Sequence, residues 1–94
     1  MDSDGFFNKG SMHIKATLES DITKSVLVEV EESDTIKYFM KKIGERMEST
    51  YELYRNLRGV TAEFVLKKSN RQRLEPDELV CAHLIDGEEV LFEL

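Results

Sequence analysis

The sequence predicts an α+β fold, a mixed sheet with one main helix packed on one face, in the order β-β-α-β-β-turn-β. Three observations carry that prediction. Apolar and polar residues alternate over 12–18 and again over 26–30, the two-residue period of half-buried strands. Ile36, Phe39, Met40, Ile43 and Met47 then recur at helical spacing on one face. A last alternation, Val90, Phe92 and Leu94, supplies the final strand.

The chain has 94 residues, enough for one small domain and no second. Such a domain buries only about 60% of the surface that its unfolded chain exposes, so its core has to be well patterned. Hydrophobic residues make up 40% and charged residues 34%, a balance that supports a folded globular chain. A net charge of −6 argues against a dedicated nucleic-acid binder, which needs an excess of Lys and Arg. The single cysteine, Cys81, has no internal disulfide partner and favours a reducing, cytoplasmic setting. No apolar run approaches the roughly 18 residues that span a bilayer, and no signal-peptide pattern is present, so neither membrane insertion nor secretion is expected.

Residues 1–11 lack periodicity and read as a flexible lead-in, with Gly10-Ser11 resembling a cloning scar, and the domain is expected to span 12–94. In the first strand Met12, Ile14, Ala16 and Leu18 should face inward, and His13, Lys15, Thr17 and Glu19 outward. The polar stretch 19–25 then turns the chain into a second strand with Val26, Val28 and Val30 inward, which makes an antiparallel hairpin. Ser33-Asp34-Thr35 offers side-chain acceptors for the free amides of a helix start. The helix should cross the sheet and extend past Gly44 toward Tyr51, Leu53 and Tyr54, with Gly44 weakening it by about 1 kcal/mol relative to alanine. Gly59 ends the connection, Phe64-Val65-Leu66 forms a short strand, and 72–74 is its return strand. Pro76 introduces a short helical or turn-like segment whose buried candidates are Leu79, Ala82 and Leu84. Asp86-Gly87 is a tight-turn dipeptide before the last strand.

Residue identities narrow this pattern further. Met12-x-Ile14 opens the first strand, and Val28-Glu29-Val30-Glu31-Glu32-Ser33-Asp34-Thr35-Ile36 leads from the second strand into the helix. This resembles the ubiquitin-like, β-grasp family, and Leu74-Glu75 with Leu79 and Leu84 is similar to that family's fourth strand and short helical turn. The match leaves a slightly longer first hairpin and extra residues between Ile43 and Phe64. The resemblance implies a sheet whose first and last strands run parallel at its centre, with the helix across one face. Conjugating members need a flexible tail ending in two glycines. The sequence instead ends Val90-Leu91-Phe92-Glu93-Leu94, which implies a non-conjugated module. The family's apolar recognition patch lies on its third and last strands. There Leu91 takes the place of the patch histidine and Glu93 that of the patch valine, so standard ubiquitin receptors are poor candidates. The ending is also similar to that of bacterial YukD-type proteins of type VII secretion. A stand-alone accessory protein of that kind and a domain from a larger protein both remain open.

Catalysis is not expected. Cys81 and His83 stand only two residues apart, a spacing that seldom converges, and Cys81 reads more simply as a small, partly buried packing residue. His13, His83, Cys81 and Asp86 lack the spacing of a zinc site, so no metal and no cofactor is assigned. The pairs Glu31-Glu32 and Glu88-Glu89 read as solvated charges that discourage edge aggregation.

The strongest functional signal is charge asymmetry. Arg55, Arg58, Lys67, Lys68, Arg71 and Arg73 concentrate basic residues in one stretch of an acidic chain. The expected function is a protein-interaction module or adaptor. Lys67, Lys68, Arg71, Arg73 and Leu91 would meet another protein with an acidic surface, and Tyr51, Tyr54 and Leu57 would add contacts where exposed. A solvated, salt-bridged surface is the plainer reading of the same charges. The alternative of another class is RNA or phosphate-surface binding through Arg55 to Arg73, against which the lack of interleaved aromatics counts.

Overall fold

Alternation places Met12, Ile14, Ala16 and Leu18 on one side of β1 (Ser11–Leu18) and Val26, Val28 and Val30 on one side of β2 (Ser25–Glu31), and all seven are buried. The computed structural model describes residues 10–57 and 59–94. The two strands pair antiparallel, from Ser11 opposite Glu31 to Thr17 opposite Ser25. Strand β1 begins one residue before the expected domain start, and the Glu32 amide donates to the Gly10 carbonyl at 2.6 Å. The rest of the expected lead-in, residues 1–9, lies outside the described residues.

Helix α1 (Ile36–Thr50) starts as its sequence dictates, with the Thr35 hydroxyl accepting from the Tyr38 amide at 3.1 Å. The earlier amides are held from elsewhere: Ile36 donates to the Glu78 carbonyl and Lys37 to the Pro76 carbonyl, each at 2.8 Å. The helix stops at Thr50, short of the expected Tyr54, and a separate 3₁₀ turn covers Glu52–Tyr54. Gly44 lies inside α1, buried under the connection that follows, which crosses the helix at Val60. Its lack of a side chain makes room for that crossing.

Strand β3 (Phe64–Lys67) runs antiparallel to β4 (Glu89–Glu93), and β4 runs parallel to β1, giving the order β2-β1-β4-β3. The first and last strands therefore share the sheet centre. The expected return strand over 72–74 shrinks to one bridge, Arg73 opposite Leu66, flanked by bonds from Lys67 N to Gln72 O and from Leu74 N to Val65 O. The positive φ of Arg71 lets the chain turn back that tightly.

A second 3₁₀ turn covers Val80–Ala82, and here the expected burial is out of register. Leu84 is buried, but Leu79 and Ala82 are exposed, and Val80 fills the core instead. The bond from Val80 N to Asp34 O at 2.8 Å, together with the bridge between Thr35 and Leu79, rotates this segment about the helix start. The Asp86-Gly87 turn is tied to β1. His13 N donates to Asp86 Oδ1 at 2.7 Å, and Gly87 N donates to the His13 carbonyl at 2.9 Å. The core lies between the sheet and α1, where Phe39 and Phe92 are fully buried, each contributing roughly 1.5–3 kcal/mol of transfer free energy.

Candidate protein-interaction face

The sheet face opposite α1 is built by the residues that alternate with the core. Register lines up Ser25, Thr17, Leu91 and Leu66 across β2, β1, β4 and β3, with Arg73 beyond Leu66. Phe64 lies one step along β3, opposite Glu93. Thr17 faces this side, as its place in the alternation predicts, and is only 8% exposed. Leu91, Leu66 and Phe64 are half-buried, and the Arg73 guanidinium sits 5.3 Å from the Phe64 ring centre, a cation–π distance.

The charged residues predicted for the site are not one free basic patch. Lys67 shares the inward register of Val65 opposite Val90, and its ammonium is 3.4 Å from Glu88. Lys68 donates to Glu89 at 2.7 Å. That hydrogen bond, and then the charge behind it, holds the Glu89 carboxyl below its ordinary range. Arg71 pairs with Glu19, joining the turn after β3 to the end of β1 across β4. Glu89, which opens the central strand β4, and Glu88, just before it, are thus the partners of Lys68 and Lys67, rather than solvated charges guarding an edge. Of the predicted residues, only Arg73 and Leu91 join the apolar row.

Phe64, Leu66 and Thr17 belong to this face and were not singled out in the sequence. The signal was there: in Phe64-Val65-Leu66 burial of Val65 forces both neighbours to the other side. Tyr51 is half-buried and bonded through its hydroxyl to Ser25, and Tyr54 packs edge-on against it, with ring centres 6.5 Å apart. Both rings support the core, while Leu57 is 53% exposed. Arg58 lies outside the described residues. Cys81 is exposed, not a packing residue, and His83 is paired with Glu78. No group of three or more potential metal ligands converges among the described residues.

No protein-family model matches the chain, and no curated protein matches it. Among solved structures it is similar to a de novo design based on ubiquitin, with a TM-score of 0.64 and 22% identity over 89% of this chain and 88% of that one. It is also similar to a chain of the toluene 4-monooxygenase HD complex with the inhibitor 4-bromobenzoate. There the TM-score is 0.52 and the identity 21%, over 88% of this chain and 99% of that one. With the four-stranded mixed sheet and single main helix, the likeness to the ubiquitin-based design establishes a ubiquitin-like, β-grasp fold. No helix among the described residues is long and apolar enough to cross a membrane.

Proposed function

We propose that this chain is a non-catalytic, ubiquitin-like interaction module that binds another protein through the outer face of its sheet. The observation that carries the reading is the row of Thr17, Leu91 and Leu66 with Phe64 beside it, a semi-apolar strip on rigid strands rimmed by paired charges. An apolar centre with a polar rim is the general anatomy of a protein interface. The ion pairs Lys67–Glu88, Lys68–Glu89 and Arg71–Glu19 favour a protein partner over RNA or a phosphate surface, because they compensate the positive charge at Lys67, Lys68 and Arg71. Arg73 is the basic contact best placed for an acidic partner residue, since it lies over the strip itself.

Site-specific photocrosslinking tests the reading. A photoreactive side chain at position 91 should trap a discrete partner protein in cells, and Leu66→Ser should abolish that trapping. The same photoreactive group at exposed Ile22, in the β1–β2 loop, should trap none. Equal trapping at both positions, or none at position 91, would refute the assignment.

A further inference from the structure

The exposed side of α1 carries two cations that the fold leaves without counterions. Lys37 and Lys41 stand about one helical turn apart, where like charges repel. Neither is in an ion pair among the described residues, although the chain has a net charge of −6 and Lys67, Lys68 and Arg71 are all paired.

Both lysines line a groove of about 570 Å³ between the exposed flank of α1 and the connection that crosses the helix. Lys37, Lys41, Glu45 and Glu48 follow one another along the helix wall, and Gly59, Val60 and Thr61 form the facing wall. That second wall is fixed in place. Val60 lies over Gly44, Val60 N donates to Glu48 Oε2 at 3.0 Å, and Ala62 N donates to the Met40 carbonyl at 3.2 Å. The connection holds the extra residues that depart from the ubiquitin-like pattern, so the groove is a product of this chain's own insertion.

Charge divides along the groove. The midpoint between Lys37 and Lys41 and that between Glu45 and Glu48 lie about 11 Å apart along the helix axis. Apolar surface lies beside these charges: Tyr38 is 45% exposed, and Val60 is half-buried. Thr61 offers backbone as well, since neither its amide nor its carbonyl is bonded among the described residues.

We propose that this groove binds a short extended segment of another protein that carries an acidic and a basic side chain four residues apart. Four residues of extended chain advance about 13 Å, close to the separation of the two charged ends, and an even spacing puts both side chains on one face. The acidic side chain meets Lys37 and Lys41, and the basic one meets Glu45 beside Glu48. An apolar side chain midway between them lies against Tyr38 and Val60, while the segment's backbone bonds to Thr61. A wholly anionic ligand is a poor occupant, because Glu45 and Glu48 repel it. The groove lies on the far side of α1 from the sheet, so this site stands or falls independently of the outer sheet face.

The test is a nuclear magnetic resonance titration of the isotope-labelled protein with the blocked pentapeptide aspartate–serine–valine–serine–lysine. The Lys41, Glu45 and Thr61 amides should shift most, and the Thr61 amide should exchange more slowly with solvent. Lys37→Glu with Lys41→Glu should weaken binding by about tenfold or more. Acidic side chains near a helix N-terminus suit its dipole, so the melting temperature of that variant should not fall. If it fails to fold, Glu45→Lys carries the test with the same expected loss. A peptide with aspartate in place of its lysine should also bind about tenfold more weakly. Equal binding by the charge-reversed protein, equal binding of the peptide with two aspartates, shifts confined to Leu66 and Leu91, or no binding at millimolar peptide would each overturn the proposal. So would concentration-dependent shifts of the same amides without peptide, which would assign the groove to a second copy of this chain.

Discussion

Gly44 lies directly beneath the Val60 carbonyl: a β-carbon on Gly44 would stand 1.8 Å from that oxygen. The connection is held against the helix there by bonds from Val60 N to Glu48 Oε2 at 3.0 Å and from Ala62 N to Met40 O at 3.2 Å. Helix propensity alone favours Gly44→Ala by about 1 kcal/mol. The steric clash reverses the sign, and the variant should lose about 1–3 kcal/mol in urea denaturation. A gain in stability would show that the connection does not pack where it is placed.

Tyr51→Phe should cost about 0.5–1.5 kcal/mol, because one hydroxyl satisfies both outward backbone groups of Ser25. The ring stays packed, so loss of the hydrogen bonds is the main effect. Hydrogen exchange should report the change locally, with faster exchange at the Ser25 amide than at the Val28 amide inside the ladder.

Adjacent positions before Leu84 should respond in opposite ways. Val80 is fully buried, and its replacement by serine should cost about 1.5–3 kcal/mol or more. Leu79 is 45% exposed, and Leu79→Ser should fall within about 0.5 kcal/mol of the parent. Thermal melts of the two variants would expose any error in the register of this segment.

Acid should loosen the first hairpin. Hydrogen bonds from Lys24 and then from Thr23 lower the Asp21 carboxyl from 3.8 to about 2. Its contribution is therefore complete above pH 3.8 and is lost as pH falls toward about 2. The Lys24 ammonium, raised by the same contact, keeps its contribution below pH 10.5 and loses it at higher pH. The two shifts describe one ion pair from its two sides. Urea midpoints measured between pH 4 and pH 2 should fall less for Asp21→Asn than for the parent protein.

The core was legible because it is written in periodicity. Ile14, Val28, Phe39, Ile43, Val90 and Phe92 are buried where their two-residue or helical spacing puts them. The candidate site was less legible, because its partners are distant in sequence. Glu89 lies 21 residues from Lys68, and Glu19 lies 52 from Arg71. Local reading therefore saw a basic cluster where folding makes ion pairs. Cys81 and Leu79 were misjudged for a related reason. In a 3₁₀ turn, burial depends on how the segment is clamped to Asp34 and Thr35, and no spacing records that clamp.

By itself, the sequence determined which residues alternate, which stripe faces the sheet, where α1 is capped and where the chain turns, since these follow from local geometry and side-chain chemistry. Tertiary structure alone decided the rest. It made Glu88 and Glu89 the counterions of Lys67 and Lys68, and left Leu91 beside Leu66. It also turned Gly44 from a weak helix position into the site of a chain crossing. Contacts between distant segments carry no period, so they exist only once the sheet has closed around its core.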